Sequence, residues 1–225
     1  MRDYIRENTV DADNQIKEGQ MIFYLGEPDA DIRIAIVGNS ITRHGIKEEI
    51  GWPRLCGMAA SDEDHDYVHV LYRLLCEKGY SVHMMVSHLS HWEKNYDEAK
   101  LIDYSDIKEF KPDYFLFRLG ENVPQEVTQE MMEKRIEELV EYISSENTKS
   151  IFTTSFFPYP AVDDAIEAVA KRTNSSFITI NDLGQDDKMK AIGLFEHFGV
   201  SVHPGDLGME HIATRIFNCI DGLEK

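Results

Sequence analysis

Ile32-Arg33-Ile34-Ala35-Ile36-Val37-Gly38-Asn39-Ser40 is the stretch whose reading decides the fold. Its β-branched run has the length of a strand and stops at a glycine. Short apolar runs bounded by Gly, Pro or Asn suit strands buried on both faces of a parallel sheet. Four more follow it: Ser81 to Val86, Asp113 to Leu119, Ser150 to Phe157 and Ser176 to Ile180.

The segments between these runs have helical periodicity. Tyr67 to Lys78 carries Val68, Leu71, Leu74 and Leu75 on one face, and Gly79 is a natural C-terminal stop. Gln129 to Ser145 carries Met132, Ile136, Val140 and Ile143, with Thr128 placed to cap its start. Ala161 to Arg172 and Leu207 to Ile220 show similar apolar faces. Strands joined by helices imply right-handed βαβ units. The expected architecture is a three-layer α/β/α sandwich with a mostly parallel five-stranded sheet. Residues 1–30 are expected to add a small edge element, with Met21 to Leu25 as its strand. Gly51 to Asp66 reads as long and irregular. No Pro/Gly/Ser-rich linker interrupts the chain, so residues 1–225 read as a single domain.

The formal net charge of −18 argues against nucleic acid, since phosphate binding needs a basic face. It argues equally against an anionic membrane surface. The plain consequence of the acidity is solubility. The three cysteines, Cys56, Cys76 and Cys219, form no CxxC pair and no metal-ligand spacing. Cys76 and Cys219 are expected in the core, and an odd count fits a reducing compartment. Met1 to Gln20 is polar, without the apolar stretch of a signal peptide. A cytoplasmic location is the expectation. Oligomeric state is not legible.

In such sheets ligands sit at the carboxyl ends of the strands. After the first parallel strand comes Gly38-Asn39-Ser40-Ile41-Thr42, which puts a hydroxyl at that edge. The same residues also read as an ordinary Gly-Asn turn with a serine cap. After the third comes Leu119-Gly120-Glu121-Asn122-Val123-Pro124, where Asn122 is a candidate donor to a developing oxyanion or simply satisfies a turn. Near the C-terminus, Val200-Ser201-Val202-His203-Pro204-Gly205-Asp206 puts a histidine in a loop ahead of a helix. Nucleophile, base and oxyanion donor together form the minimum set for acyl transfer. His197 is a rival base. Asp206 is expected to cap the final helix.

These three blocks resemble the SGNH/GDSL hydrolase superfamily. Its Gly-Asp-Ser block is matched by Gly38-Asn39-Ser40, its Gly-x-Asn-Asp block by Gly120-Glu121-Asn122-Val123, and its terminal His-Pro by His203-Pro204. The resemblance spans about residues 32–220. The Trp92-Glu93 segment and the His203-Pro204-Gly205-Asp206 run are similar to a subset with bacterial, often carbohydrate-associated members. The resemblance implies a flavodoxin-like fold and a serine esterase with Ser40 as nucleophile and His203 as base. It also implies an oxyanion hole from the Ser40 N–H, Asn122 and a backbone donor at Ser87 or His88. Asn39, Glu121 and Trp92 are the candidate substrate contacts. Such chemistry needs no cofactor or metal.

Two departures stand out. The family's last block is Asp-x-x-His, and Val200 stands three residues before His203. A backbone carbonyl near Val200, or the carboxylate of Glu196, is expected to orient the imidazole instead. Asn39 also replaces the Asp of the first block. The resemblance further implies a small-molecule substrate: a short acyl ester, including an acetyl group on a carbohydrate. Trp52, Trp92, Tyr96, Phe157 and Tyr159 either line a sugar cleft or belong to the core. The alternative function is a catalytically weak or inactive SGNH-fold protein that binds a small molecule or carbohydrate. A nucleotide-binding reading of Gly38 to Gly45 lacks both GxGxxG and GxxxxGK[ST].

Overall fold

A computed structural model of the chain describes residues 5–7 and 22–225. Most of the polar opening segment, and Met21, lie outside the described residues. Among the described residues seven strands form one sheet: β1 (Ile5–Glu7), β2 (Ile22–Leu25), β3 (Ile32–Gly38), β4 (Val82–His88), β5 (Tyr114–Arg118), β6 (Lys149–Thr153) and β7 (Ser176–Ile178). Their order is β1-β2-β4-β3-β5-β6-β7. The expected five strands, β3 to β7, all run parallel. β2 is the edge strand expected at Met21 to Leu25 and adds to β4 antiparallel, while β1, which adds to β2, was not expected as a separate strand. In β2 the side chains alternate between half-buried and buried, the pattern of a strand covered mainly on one face.

Side-chain alternation along β3 builds the three layers. Ile34 and Ile36 join one core with Leu71 of α1 (Tyr67–Lys78) and Ile212 and Ile216 of α7 (Asp206–Leu223). Ala35 and Val37 join the opposite core with Leu139 of α4 (Gln129–Ile143) and Ile166 of α5 (Pro160–Arg172). The shorter α2 (Ser90–Lys94), α3 (Ser105–Phe110) and α6 (Phe198–Ser201) complete the set. Thr128 caps α4, its hydroxyl accepting from the Met131 N–H at 3.3 Å. Among the described residues, no helix is long and apolar enough to cross a membrane.

Several boundaries differ from the sequence reading, each for a local reason. β6 stops at Thr153 rather than Phe157, because the Ser155 N–H turns to Asp163 Oδ1 at 2.8 Å. β7 stops at Ile178 because the Thr154 hydroxyl captures the Ile180 and Asn181 amides at 2.8 and 3.0 Å. β4 instead runs on to His88. Cys56 is buried and Cys219 half-buried, but Cys76 is exposed. It follows the last buried residue of α1, Leu75, and so turns outward beside Glu77 and Lys78.

Candidate active site

β3 delivers the serine. Gly38 closes the strand, and a Cβ there would lie 1.8 Å from Thr42 Oγ1, so only glycine permits so tight a turn. The Thr42 and Arg43 amides both fold back onto the Asn39 carbonyl, at 2.9 and 3.0 Å. That turn carries Ser40 just past the end of β3, where it joins the lining of a cavity.

The Ser40 hydroxyl meets His203 there: Ser40 Oγ lies 2.9 Å from His203 Nε2, across 163 residues of sequence. His203 Nδ1 lies 2.6 Å from the Gly199 carbonyl oxygen. A carbonyl only accepts, so Nδ1 carries the proton and Nε2 is left to receive one from Ser40. Burial pushes the His203 imidazole down to about 4, against the opposing pull of the Gly199 carbonyl and Glu121. The ring therefore stays neutral at pH 7. Phe157 packs edge-on against it, with ring centroids 5.9 Å apart.

Ser40, His203 and Asn122 line a cavity of about 440 Å³, together with Met58, His88 and Ser90. Its two walls are joined just behind this lining. The Ser61 N–H donates to Asp206 Oδ1 at 2.7 Å, three residues beyond Met58 and His203 respectively. Asp206 is thus the first residue of α7 and a cross-link, and Gly205 takes the cap position assigned to Asp206 from sequence.

Beneath the cavity floor lies a buried polar cluster. Glu93, fully buried, accepts from Gly120 N–H at 2.5 Å and Asn39 Nδ2 at 2.9 Å through Oε1. Its Oε2 accepts from Asn122 Nδ2 at 2.6 Å. Glu121 accepts from Asn39 Nδ2 at 2.5 Å and from Arg118 Nη2 at 2.6 Å. Arg118, also fully buried, donates to Asn39 Oδ1 at 3.3 Å. Burial, with the Glu121 charge added, pushes the Glu93 carboxyl up to about 7. Gly120 has a φ of 144°, a conformation open to glycine and poorly open to other residues.

No family model matches the chain, and no curated protein sequence matches it. Solved structures do. A protein described as a GDSL-like lipase, from Parabacteroides merdae, superposes with a TM-score of 0.55 at 15% identity, covering 84% of this chain and 95% of that one. Axe2, an acetylxylan esterase from Geobacillus stearothermophilus, gives 0.52 at 14% identity, over 84% and 94%. A two-domain esterase active on acetylated mannans, crystallised with mannopentaose, gives 0.53 at 18% identity, over 86% of this chain and 50% of that one. The chain has the SGNH hydrolase fold.

Within this SGNH fold the remaining candidate residues fall into different places. Ser87 sits inside β4, paired with Val37 on one side and Ile22 on the other, and does not line the cavity. The extra length of β4 draws it into the ladder, and His88 and Ser90 reach the cavity instead. Glu196 is exposed and lines a neighbouring groove with Glu48 and Glu49. The atom in contact with His203 Nδ1 is the Gly199 carbonyl. His197 lines the cavity, but the Ser40 hydroxyl pairs with His203. Asn39 and Glu121 are held within the buried cluster rather than facing the cavity. Trp92 is fully buried and packs edge-on against Phe117 at 5.8 Å, which makes it a core residue. Trp52 is likewise fully buried. Among the described residues no group of three or more His, Cys, Asp or Glu side chains is placed to hold a metal ion.

The sequence reading missed the roles of Arg118 and Glu93. Arg118 carried a usable signal: a cation between Phe117 and Leu119 in a fully buried strand requires a charged partner nearby. Glu93 had a weaker one, standing next to an apolar tryptophan in a segment with no evident periodicity.

Proposed function

We propose that this chain is a carboxylic ester hydrolase that works through an acyl-enzyme on Ser40, with a Ser40–His203 dyad. The observation that carries the reading is the 2.9 Å approach of Ser40 Oγ to an imidazole nitrogen whose partner nitrogen is held by a carbonyl. This arrangement supplies a neutral base in the tautomer that accepts a proton.

Ser40 attacks the ester carbonyl as its proton passes to His203 Nε2. The developing oxyanion takes hydrogen bonds from the Ser40 N–H and from the Asn122 Nδ2 proton not committed to Glu93. His203 returns the proton to the leaving alcohol. Water then enters, gives its proton to the same nitrogen, and releases the acid. With a carbonyl in place of a carboxylate behind the ring, the imidazolium formed midway is less stabilised, so turnover is modest.

The substrate class in this reading is a short acyl ester, with an acetyl group on a carbohydrate as the leading case. It is supported by the compact cavity and by fold neighbours described as acting on acetylated mannan and xylan. The test is hydrolysis of p-nitrophenyl acetate by the wild-type chain and by Ser40→Ala, with fluorophosphonate labelling mapped by mass spectrometry. The expected result is a Ser40 adduct and loss of turnover in the variant. Equal rates and no adduct would leave a binding protein on this fold.

A further inference from the structure

We infer that Glu93 is a positioning residue: its buried carboxylate aims the Asn122 amide at the oxyanion and ties that loop to the nucleophile turn. The inference rests on the esterase reading of Ser40 and His203, and it adds a residue that never touches substrate.

The donor count carries it. Three N–H groups converge on Glu93 Oε1: Gly120 N at 2.5 Å, Asn39 Nδ2 at 2.9 Å and Asn122 N at 3.5 Å. The Asn122 side chain occupies Oε2 at 2.6 Å. Every partner is a donor, so the site needs acceptors on both oxygens, which the carboxylate provides once it is ionised, above about pH 7. Asn39 immediately precedes the nucleophile, and Asn122 follows β5. One buried group thus sets the distance between the two loops that bring the attacking atom and an oxyanion donor. The Asn122 amide has two protons, and fixing one on Glu93 directs the other. Groups held in this way keep transition-state geometry to within a fraction of an ångström.

The charged groups around Glu93 are Glu121 and Arg118. Arg118 is paired with Glu121 at 2.6 Å, so its charge is already engaged. Asn39 bridges both carboxylates through Nδ2. The nucleophile turn has lost the usual Asp to Asn39, and the two glutamates supply carboxylate oxygens around it from other elements.

Glu93→Gln discriminates well. A glutamine offers one acceptor. Keeping that oxygen under the three donors at the Oε1 position turns its NH2 toward Asn122 Nδ2, donor against donor. The substitution therefore disturbs the oxyanion donor most and alters the volume little.

The experiment pairs kinetics with NMR on the full chain at pH 8.5, where Glu93 is ionised. Asn122→Ala is expected to lower kcat by roughly 100-fold, the usual cost of one oxyanion donor. Glu93→Gln is expected to lower kcat at least about tenfold with KM little changed. In the Asn122→Ala background Glu93→Gln should cost less than about threefold, because its effect runs through Asn122. In 15N spectra, Glu93→Gln should move the Asn122 side-chain amide pair. Unmoved Asn122 amide resonances, or losses that multiply in the double variant, would overturn the inference. Failure of the esterase reading looks different: Ser40→Ala would then keep wild-type turnover whatever the Asn122 amide does.

Discussion

His203 takes its orientation from the carbonyl of Gly199, four residues earlier, at 2.6 Å. A neutral dipole holds the ring in the accepting tautomer without supplying the charge that a carboxylate would bring. Burial, opposed by the Gly199 carbonyl, keeps the base weak, so the ring gains its second proton only near pH 4. Following the ring nitrogens of His203 by 15N NMR from pH 8 to pH 3.5 should show one tautomer, protonated at Nδ1, down to about pH 4. A midpoint near the ordinary histidine value of 6.5 would refute this account of the dyad.

Glu93 makes stability depend on pH in an unusual direction. Its folded carboxyl is raised from 4.5 to about 7, so between those values the folded chain keeps a proton that the unfolded chain has released. Stability therefore falls as pH rises through this window. Urea unfolding at pH 5 and pH 8 should show wild type losing stability relative to Glu93→Gln, which has no such proton. Parallel pH curves for the two proteins would count against it.

Arg118 is fully buried and its salt-bridge partner is Glu121. Removing one member of such a pair strands the other, at a cost of about 3–5 kcal/mol. Glu121→Ala should lower the denaturation midpoint accordingly. A change under about 1 kcal/mol in chemical denaturation would mean that water reaches the guanidinium.

Trp92 separates core from cleft. Its indole is fully buried against Phe117. Trp92→Ala should cost about 3–5 kcal/mol of stability. Trp92→Phe, the milder change, should leave KM for any glycosyl ester unchanged while lowering the melting temperature. A raised KM with unaltered melting would return the tryptophan to the substrate.

The layered fold was readable because β3 to β7 are apolar runs closed by turn residues, and because α1 and α4 keep strict helical periodicity between them. Helix α1 was legible to the residue, since Gly79, at a φ of 100°, marks its end. The strand ends were less legible: Thr154 and Asp163 capture backbone amides by side-chain contacts that no local pattern encodes. At the site, Ser40, Asn122 and His203 each follow or precede a recognisable turn, so their types and places were visible. The carbonyl behind His203 was expected near Val200, and Gly199 is the neighbouring residue. Glu93 meets Gly120 across 27 residues of sequence and Arg118 meets Asn39 across 79, and such pairings exist only once the sheet has formed.

The bond from Ser61 to Asp206 has an entropic meaning. It joins the segments that follow Met58 and His203, two residues of the cavity lining, across 145 residues of sequence. Ordering one side of the cavity therefore lowers the loop-closure cost of ordering the other.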